Sequence, residues 1–215
     1  MDDFVKLNIS GCKWLLIKVA ILLFLFSFHA SPLFSGEEDT LKGAKKSNHV
    51  NYSTEVDYVL SVIKEYRTGL SDEDEKKLAE VIVGEANAYA VDPYMVLALI
   101  KIESTFNNWA RSKKGALGLM QIRPATGAEL AKDLGLKWNG EKTLFDPLVN
   151  VRLGIHYFHD LKDRFDDDMN NAVAAYNHGP YGISRRIRRG KSTSFRYVDK
   201  VKLSYDSFKE GATYD

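Results

Sequence analysis

Twice in this chain an aspartate is followed directly by a proline and then by apolar residues at helical spacing, at Asp92-Pro93 and at Asp146-Pro147. Aspartate offers a side-chain acceptor to the free amides of a first helical turn. Proline at the first helical position lacks an N–H that would have had no partner there. The two dipeptides therefore mark two helix starts. After the first, Val96, Leu99 and Ile100 recur on one face and predict a helix reaching about Phe106; after the second, Leu148, Val151, Ile155, Phe158 and Phe165 carry a long amphipathic helix toward Asp166. Ser71, followed by a run of acids with Asp74 in the capping-box position, opens another helix with Leu78, Val81, Ile82 and Tyr89 as its stripe. Val56, Val59, Leu60 and Ile63 place a helix ahead of it, and Met169 to Asn177 is a short helix stopped by Gly179-Pro180. Asp166-Asp167-Asp168 lacks the spacing of a calcium loop and is expected to cap that short helix. No stretch alternates apolar and polar residues, so the fold class is all-α, in a single globular domain.

Composition narrows what such a domain can do. Thirty Lys plus Arg against twenty-nine Asp plus Glu leave a net charge of +1, so no whole-chain field draws it onto nucleic acid or an anionic membrane. A single cysteine, Cys12, excludes disulfide frameworks, thiolate zinc sites and iron–sulfur clusters. Cys12 also sits in an unusual segment. Val19 to Phe28 carries no charge, follows Lys6, Lys13 and Lys18, and precedes His29, Ala30, Ser31 and Pro32, which is the order of a secretory signal. Extending it to the roughly 20 residues of a spanning helix would take in Lys18, His29 and Pro32. Residues 1–30 are thus expected to be a signal peptide or an N-terminal membrane anchor, and residues 31–53, polar and aperiodic, a flexible linker. Order should begin near Thr54, with the domain over 54–208 and a C-terminal tail over 209–215. Either fate of the leader takes the domain out of the cytosol.

One residue is out of place for its chemistry. On the helix Tyr94 to Asn107, Glu103 follows Val96, Leu99 and Ile100 on the core-facing stripe, with Phe106 three further on. A carboxylate there is either neutralised by a partner, with Arg111 or Lys101 as candidates, or held where its pKa rises toward that of a general acid. Glu85 falls on the stripe of its own helix in the same way, seven after Leu78, so helical phase nominates two carboxylates and does not choose between them.

The company Glu103 keeps does choose. Ile102-Glu103-Ser104, then Ser112, then Gly115-Ala116-Leu117-Gly118-Leu119-Met120-Gln121-Ile122, then Ala175-Tyr176-Asn177-His178-Gly179-Pro180, closely resemble the lytic transglycosylase domain of the soluble-transglycosylase (SLT) family, relatives of goose-type lysozyme. The likeness spans roughly Val56 to Val201, and within it the Asp92-Pro93 start, the Asn150-to-Tyr157 helix with its Gly154, and Arg196-Tyr197-Val198 also look like the family. It departs at His178, where a small residue is usual, and at Tyr181 after the Gly-Pro. The resemblance implies a lysozyme-like fold and cleavage of the β-1,4 bond between N-acetylmuramic acid and N-acetylglucosamine without water, leaving a 1,6-anhydro end. By position it makes Glu103 the single acid and base. It makes Gln121 a sugar ligand in the cleft, Ser112 a contact to the acetamido group, and Tyr176 the tyrosine whose hydroxyl lies close to the acid. It also makes Asn177 a brace, Met120 the cleft floor, though filling the core is the commoner job of a methionine, and Tyr197 a further substrate contact. Gly115 and Gly118 would let the backbone approach the glycan. No cofactor is implied.

Other signals are weaker. His156 and His159 with Asp160 and Asp163 lack an HExxH or third-ligand pattern, so no metal is expected. Arg185 to Lys191 carries five cations in seven residues, a run that either faces solvent or meets acidic stem peptides or wall polymers. The expected partners are peptidoglycan glycan strands and cell-envelope machinery, with membrane contact only through the N-terminal segment, no nucleic acid, and a place in the periplasm or cell envelope.

Overall fold

In a computed structural model, which describes residues 42–212 and side chains from Tyr52 onward, the helix starts marked by acceptor residues stand where the sequence puts them. Helix α1 (Lys42–Lys64) leads into α2 (Asp72–Ala88), where Ser71 Oγ accepts from Asp74 N at 3.2 Å and donates to Asp74 Oδ2 at 2.7 Å. Helix α3 (Pro93–Ser104) begins on Asp92, whose Oδ1 accepts from Tyr94 N at 2.9 Å. After α4 (Pro124–Asp133) and a 3-10 turn (Lys142–Phe145), Asp146 Oδ1 caps α5 (Pro147–Arg164) through Leu148 N and Val149 N at 3.0 and 3.2 Å. Asp168 caps α6 (Met169–His178), and α7 (Pro180–Arg188) and α8 (Arg196–Gly211) complete the described chain. There is no strand among the described residues, only isolated bridges, so the all-α class holds.

Three expectations change. The stretch taken for flexible linker turns helical at Lys42, well before Thr54; nothing after Gly43 breaks a helix there, although the buried stripe of α1 starts only at Val56. Helix α3 stops at Ser104 instead of Phe106. Thr105 and Phe106 both take left-handed backbone, φ 53° and 60°, which turns the Phe106 ring inward against Tyr66 with centroids 4.4 Å apart. Burial of that ring, worth about 1.5–3 kcal/mol, offsets part of the strain of the two left-handed residues. Finally, helix continues to Gly211, past the start expected for the tail. The expected leader, residues 1–30, lies outside the described residues; among those described, no helix is long and apolar enough to cross a membrane.

Helix α3 is the core. Met95 through Ile100 are all buried, so it is covered on every side, as a helix apolar all round must be. Its main neighbour is α8, which lies along it, while α5 packs against α2 and α6. One residue joins the two helices at the far end from Glu103: Asp92 caps α3 through Oδ1 while Oδ2 accepts from Tyr205 Oη at 2.8 Å and Lys209 Nζ at 3.1 Å on α8.

The loop before α4 is held by a buried asparagine. Asn150, fully buried in the first turns of α5, accepts from Met120 N at 2.8 Å and donates to Leu117 O and Leu144 O at 3.0 and 2.9 Å. Gly118 is glycine for this reason as well as for its φ of 76°, since a Cβ there would strike the Asn150 amide and the Leu144 carbonyl. Asn150→Ala would strand three buried backbone groups and is expected to destabilise the domain by about 3 kcal/mol. Gly118→Ala should lose at least as much. Denaturant unfolding checks both, and midpoints equal to the parent's would contradict this role for the contact.

Candidate active site

The structure separates the two carboxylates that helical phase could not. Glu85 Oε1 accepts from Arg152 Nε at 2.9 Å, an ordinary ion pair on a half-buried surface. Neither cation proposed for Glu103 reaches it: Arg111 pairs with Glu141 at 3.1 Å, and Lys101 Nζ lies 5.0 Å above the Phe208 ring. Glu103 appears in none of the described ion pairs. It sits in the last turn of α3, where the helix's carbonyl ends also disfavour negative charge. Its polar neighbours are neutral: Tyr197 Oη donates to Glu103 Oε1 at 2.5 Å, and the Asn177 side chain bonds it as well. Burial raises the Glu103 pKa, and these two hydrogen bonds only partly offset it. The phenol of Tyr197, buried beside that carboxyl, is pushed far above the ordinary tyrosine range and stays protonated.

Two tyrosines stand beside the acid. Tyr176 Oη donates to Met120 O at 2.8 Å and so supports the loop, and its phenol, raised first by burial, is raised further by the charge of the neighbouring Glu103 carboxylate; the hydroxyl that hydrogen-bonds the acid directly belongs to Tyr197, arriving on α8. Met120 takes the core position. Its side chain is fully buried above Gly154, where a Cβ would strike it, so it fills the core and is not exposed as a cleft floor. Ser112 organises its own turn: Oγ accepts from Lys114 N at 3.3 Å and Ala116 N at 3.0 Å. The close packing at Gly118 is toward Asn150, whereas Gly115, φ 77°, has open space about it and is the glycine that leaves the backbone approachable.

Gln121 remains directed at the cleft. It holds left-handed backbone, φ 50°, and its Nε2 donates to Gly118 O at 2.9 Å and Ala110 O at 3.2 Å, which leaves the amide oxygen to accept from a ligand. Gln121, Tyr157, Tyr176, Asn177 and His178 line a cleft of about 370 Å³. Asn177 both lines it and bonds Glu103, so the acid stands at the edge of this cleft. His178 packs edge-on against Phe195, 4.0 Å between centroids. A larger cavity of about 610 Å³, lined by Asn171, Lys191 and Lys202, contains none of these residues. Asn150 has no role assigned from the sequence beyond starting a family-like helix; its one further signal is an amide sharing a helix face with Leu153 and Gly154. His156 and His159 face the acids one turn on, Asp160 at 3.8 Å and Asp163 at 3.5 Å, with the Tyr89 ring against both. Among the described residues no three His, Cys, Asp or Glu side chains gather as a metal site.

An all-helical domain with one neutral-environment carboxyl beside a polar cleft is a lysozyme-like arrangement. The chain belongs to the transglycosylase SLT domain family, whose match covers residues 80–198. Membrane-bound lytic murein transglycosylase C of Histophilus somni is 30% identical over 127 residues, 54% of this chain and 34% of that protein. Membrane-bound lytic murein transglycosylase E of Buchnera aphidicola subsp. Acyrthosiphon pisum is 34% identical over 103 residues, 47% of each chain. The crystal structure of the 70 kDa soluble lytic transglycosylase of Escherichia coli shares the fold, with a TM-score of 0.58 at 24% identity over 67% of this chain and 26% of that one. The chain therefore spans about a third to about a half of the length of these curated relatives.

A buried carboxyl with a raised pKa opposes folding once pH rises above its unfolded value, because ionisation is then easier in the unfolded chain. Stability from this group is complete below the ordinary 4.5 and is lost as pH climbs through the higher folded value. Glu103→Gln, neutral throughout, is expected to melt above the parent at pH 8, with the gap closing below pH 4.5. Equal melting temperatures at both pH values would contradict the stated environment.

Proposed function

We propose that this chain is a peptidoglycan lytic transglycosylase that cuts the β-1,4 bond between N-acetylmuramic acid and N-acetylglucosamine and leaves a 1,6-anhydro end. The observation that carries this reading is the uncompensated Glu103 at the edge of a cleft whose lining includes no carboxylate. Ordinary glycosidases divide the work between two carboxylates. Here a single one serves in turn. Protonated Glu103 gives its proton to the glycosidic oxygen as the bond from C1 to that oxygen breaks. The resulting carboxylate then takes the proton of the C6 hydroxyl as that oxygen bonds C1, returning Glu103 to its starting form with no water consumed. The substrate's own acetamido group stabilises the positive charge at C1 in between. Tyr197 and Asn177, both neutral, hold the carboxyl in place without fixing it in either protonation state. Gln121 binds sugar through its amide oxygen.

The family likeness of the matched block supports this substrate class, and the names of the relatives support a site of action in the cell wall. We place the protein outside the cytosol, in the periplasm or cell envelope, carried there by the residues 1–30 leader. Digestion of purified sacculi followed by mass spectrometry is expected to give anhydro-muropeptides; products with ordinary reducing ends would instead identify a hydrolytic muramidase and overturn the proposal. Glu103→Gln should reduce release by roughly 10³-fold or more. Because the acid must start protonated, activity should fall as pH rises through the raised Glu103 pKa, and a rate independent of pH would contradict its role.

A further inference from the structure

We propose that the Lys114 and Arg123 side of the cleft is a subsite for a carboxylate carried on the muramoyl 3-O substituent of the glycan. This rests on the reading of the chain as a peptidoglycan enzyme and adds which substituent the cleft selects.

Lys114 and Arg123 line the same cleft as Gln121, Tyr176 and Asn177, and no acidic side chain lines it with them. They come from opposite ends of one loop. The turn at Ser112 places Lys114, whose amide bonds Ser112 Oγ at 3.3 Å. The Leu117–Ile122 bridge delivers Arg123 just beyond. Of the other cations on this loop, Arg111 is paired with Glu141, and Lys113 does not line the cleft. Neither Lys114 nor Arg123 enters any described ion pair. Nor do they serve the acid, because the groups that move the Glu103 pKa are burial, Tyr197 and Asn177, with no cation among them. Two cations that neither hold the fold nor tune the acid, and that share a cleft with the sugar-facing glutamine, are placed to meet an anion on the ligand.

In an alternating glycan the N-acetylglucosamine units are neutral. Only the muramoyl unit bears an acidic substituent. That carboxylate has two sources: the free lactyl group where the stem peptide has been removed, and the peptide's own carboxylates where the lactyl group is amidated. Both would be read by the same charge-assisted hydrogen bonds, with Arg123 able to engage both carboxylate oxygens.

The test uses the full chain bearing Glu103→Gln, so that ligand is not consumed, titrated calorimetrically with peptide-free glycan strands, peptide-bearing strands and a neutral chitooligosaccharide. Adding Lys114→Gln and Arg123→Gln together should weaken binding of at least one anionic strand by roughly two- to thirtyfold, the range for two exposed charge pairs. Chitooligosaccharide affinity should not change, and the strand that loses affinity identifies the source of the carboxylate. Raising salt should weaken the parent toward the double variant and leave the double variant itself little changed. Undiminished binding of both anionic strands, or an equal loss on the neutral ligand, overturns the subsite. In the active chain the double substitution should raise KM and leave kcat and its pH profile alone; a shifted profile would mean that these cations act on Glu103 and would also overturn it. A chain that binds in this charge-dependent way but releases no anhydro ends retains the subsite and loses the proposed activity, so the two failures are distinct.

Discussion

A carboxyl group in the wall of an apolar helix needs an environment that keeps it from either finding a cation or escaping to water, and much of this domain is arranged around that requirement. Helix α3 is buried from Met95 to Ile100, half-buried over its last turn, and ends one residue after Glu103 in two left-handed residues, so the acid lies at the point where core gives way to cleft. The cations within reach along the chain are turned elsewhere, one to Glu141 and one over the Phe208 ring. What meets Glu103 instead is a phenol from α8 and an amide from α6. Two neutral donors can hold a carboxyl in one orientation while burial still governs its proton.

That geometry depends on contacts distant from it. Asp92 uses one oxygen to start α3 and the other to bind Tyr205 and Lys209 on α8, so the same residue fixes both helices that carry the Glu103–Tyr197 pair. Asn150 plays the corresponding part on the cleft side by tying Leu117, Met120 and Leu144 together. Gln121, in left-handed backbone directly after Met120, is oriented by that knot and by its own bonds to Gly118 and Ala110. Tyr176 closes the arrangement from α6 through the Met120 carbonyl. The cleft wall is thus a short loop whose conformation is dictated by a buried amide more than by its own sequence.

How far the chain could be read in advance follows from where its helices get their first hydrogen bonds. The helices opened by Ser71, Asp92, Asp146 and Asp168 all have a side chain accepting at the N-cap, and all four were anticipated. Those starting at Pro124, Pro180 and Arg196 have no such side-chain bond, and none was marked out beforehand. The direct hydrogen bond from Tyr197 to Glu103 is hidden in the sequence for the same reason. Tyr197 is 94 residues from Glu103 and reaches it on an uncapped helix, whereas Tyr176 sits inside a motif that draws attention to it. The buried role of Asn150 is not legible in the sequence because an amide on a helix ordinarily faces water. Of the two roles open to Met120, the space left by the missing Cβ of Gly154 selects core filling. Helical periodicity shows a charge where hydrocarbon belongs at both Glu85 and Glu103, and the motif blocks around Glu103 single it out; that it lacks a counter-charge is visible only once Arg111 and Lys101 are placed.

The claim underlying all of this is that burial without a cation keeps the Glu103 proton in place. The most direct measurement is the carboxyl ¹³C titration of Glu103 in the intact protein, assigned by its absence in Glu103→Gln. The account predicts a midpoint above the ordinary 4.5. A midpoint at or below that value would mean that the carboxylate is stabilised by its surroundings, and would contradict its use as the starting acid.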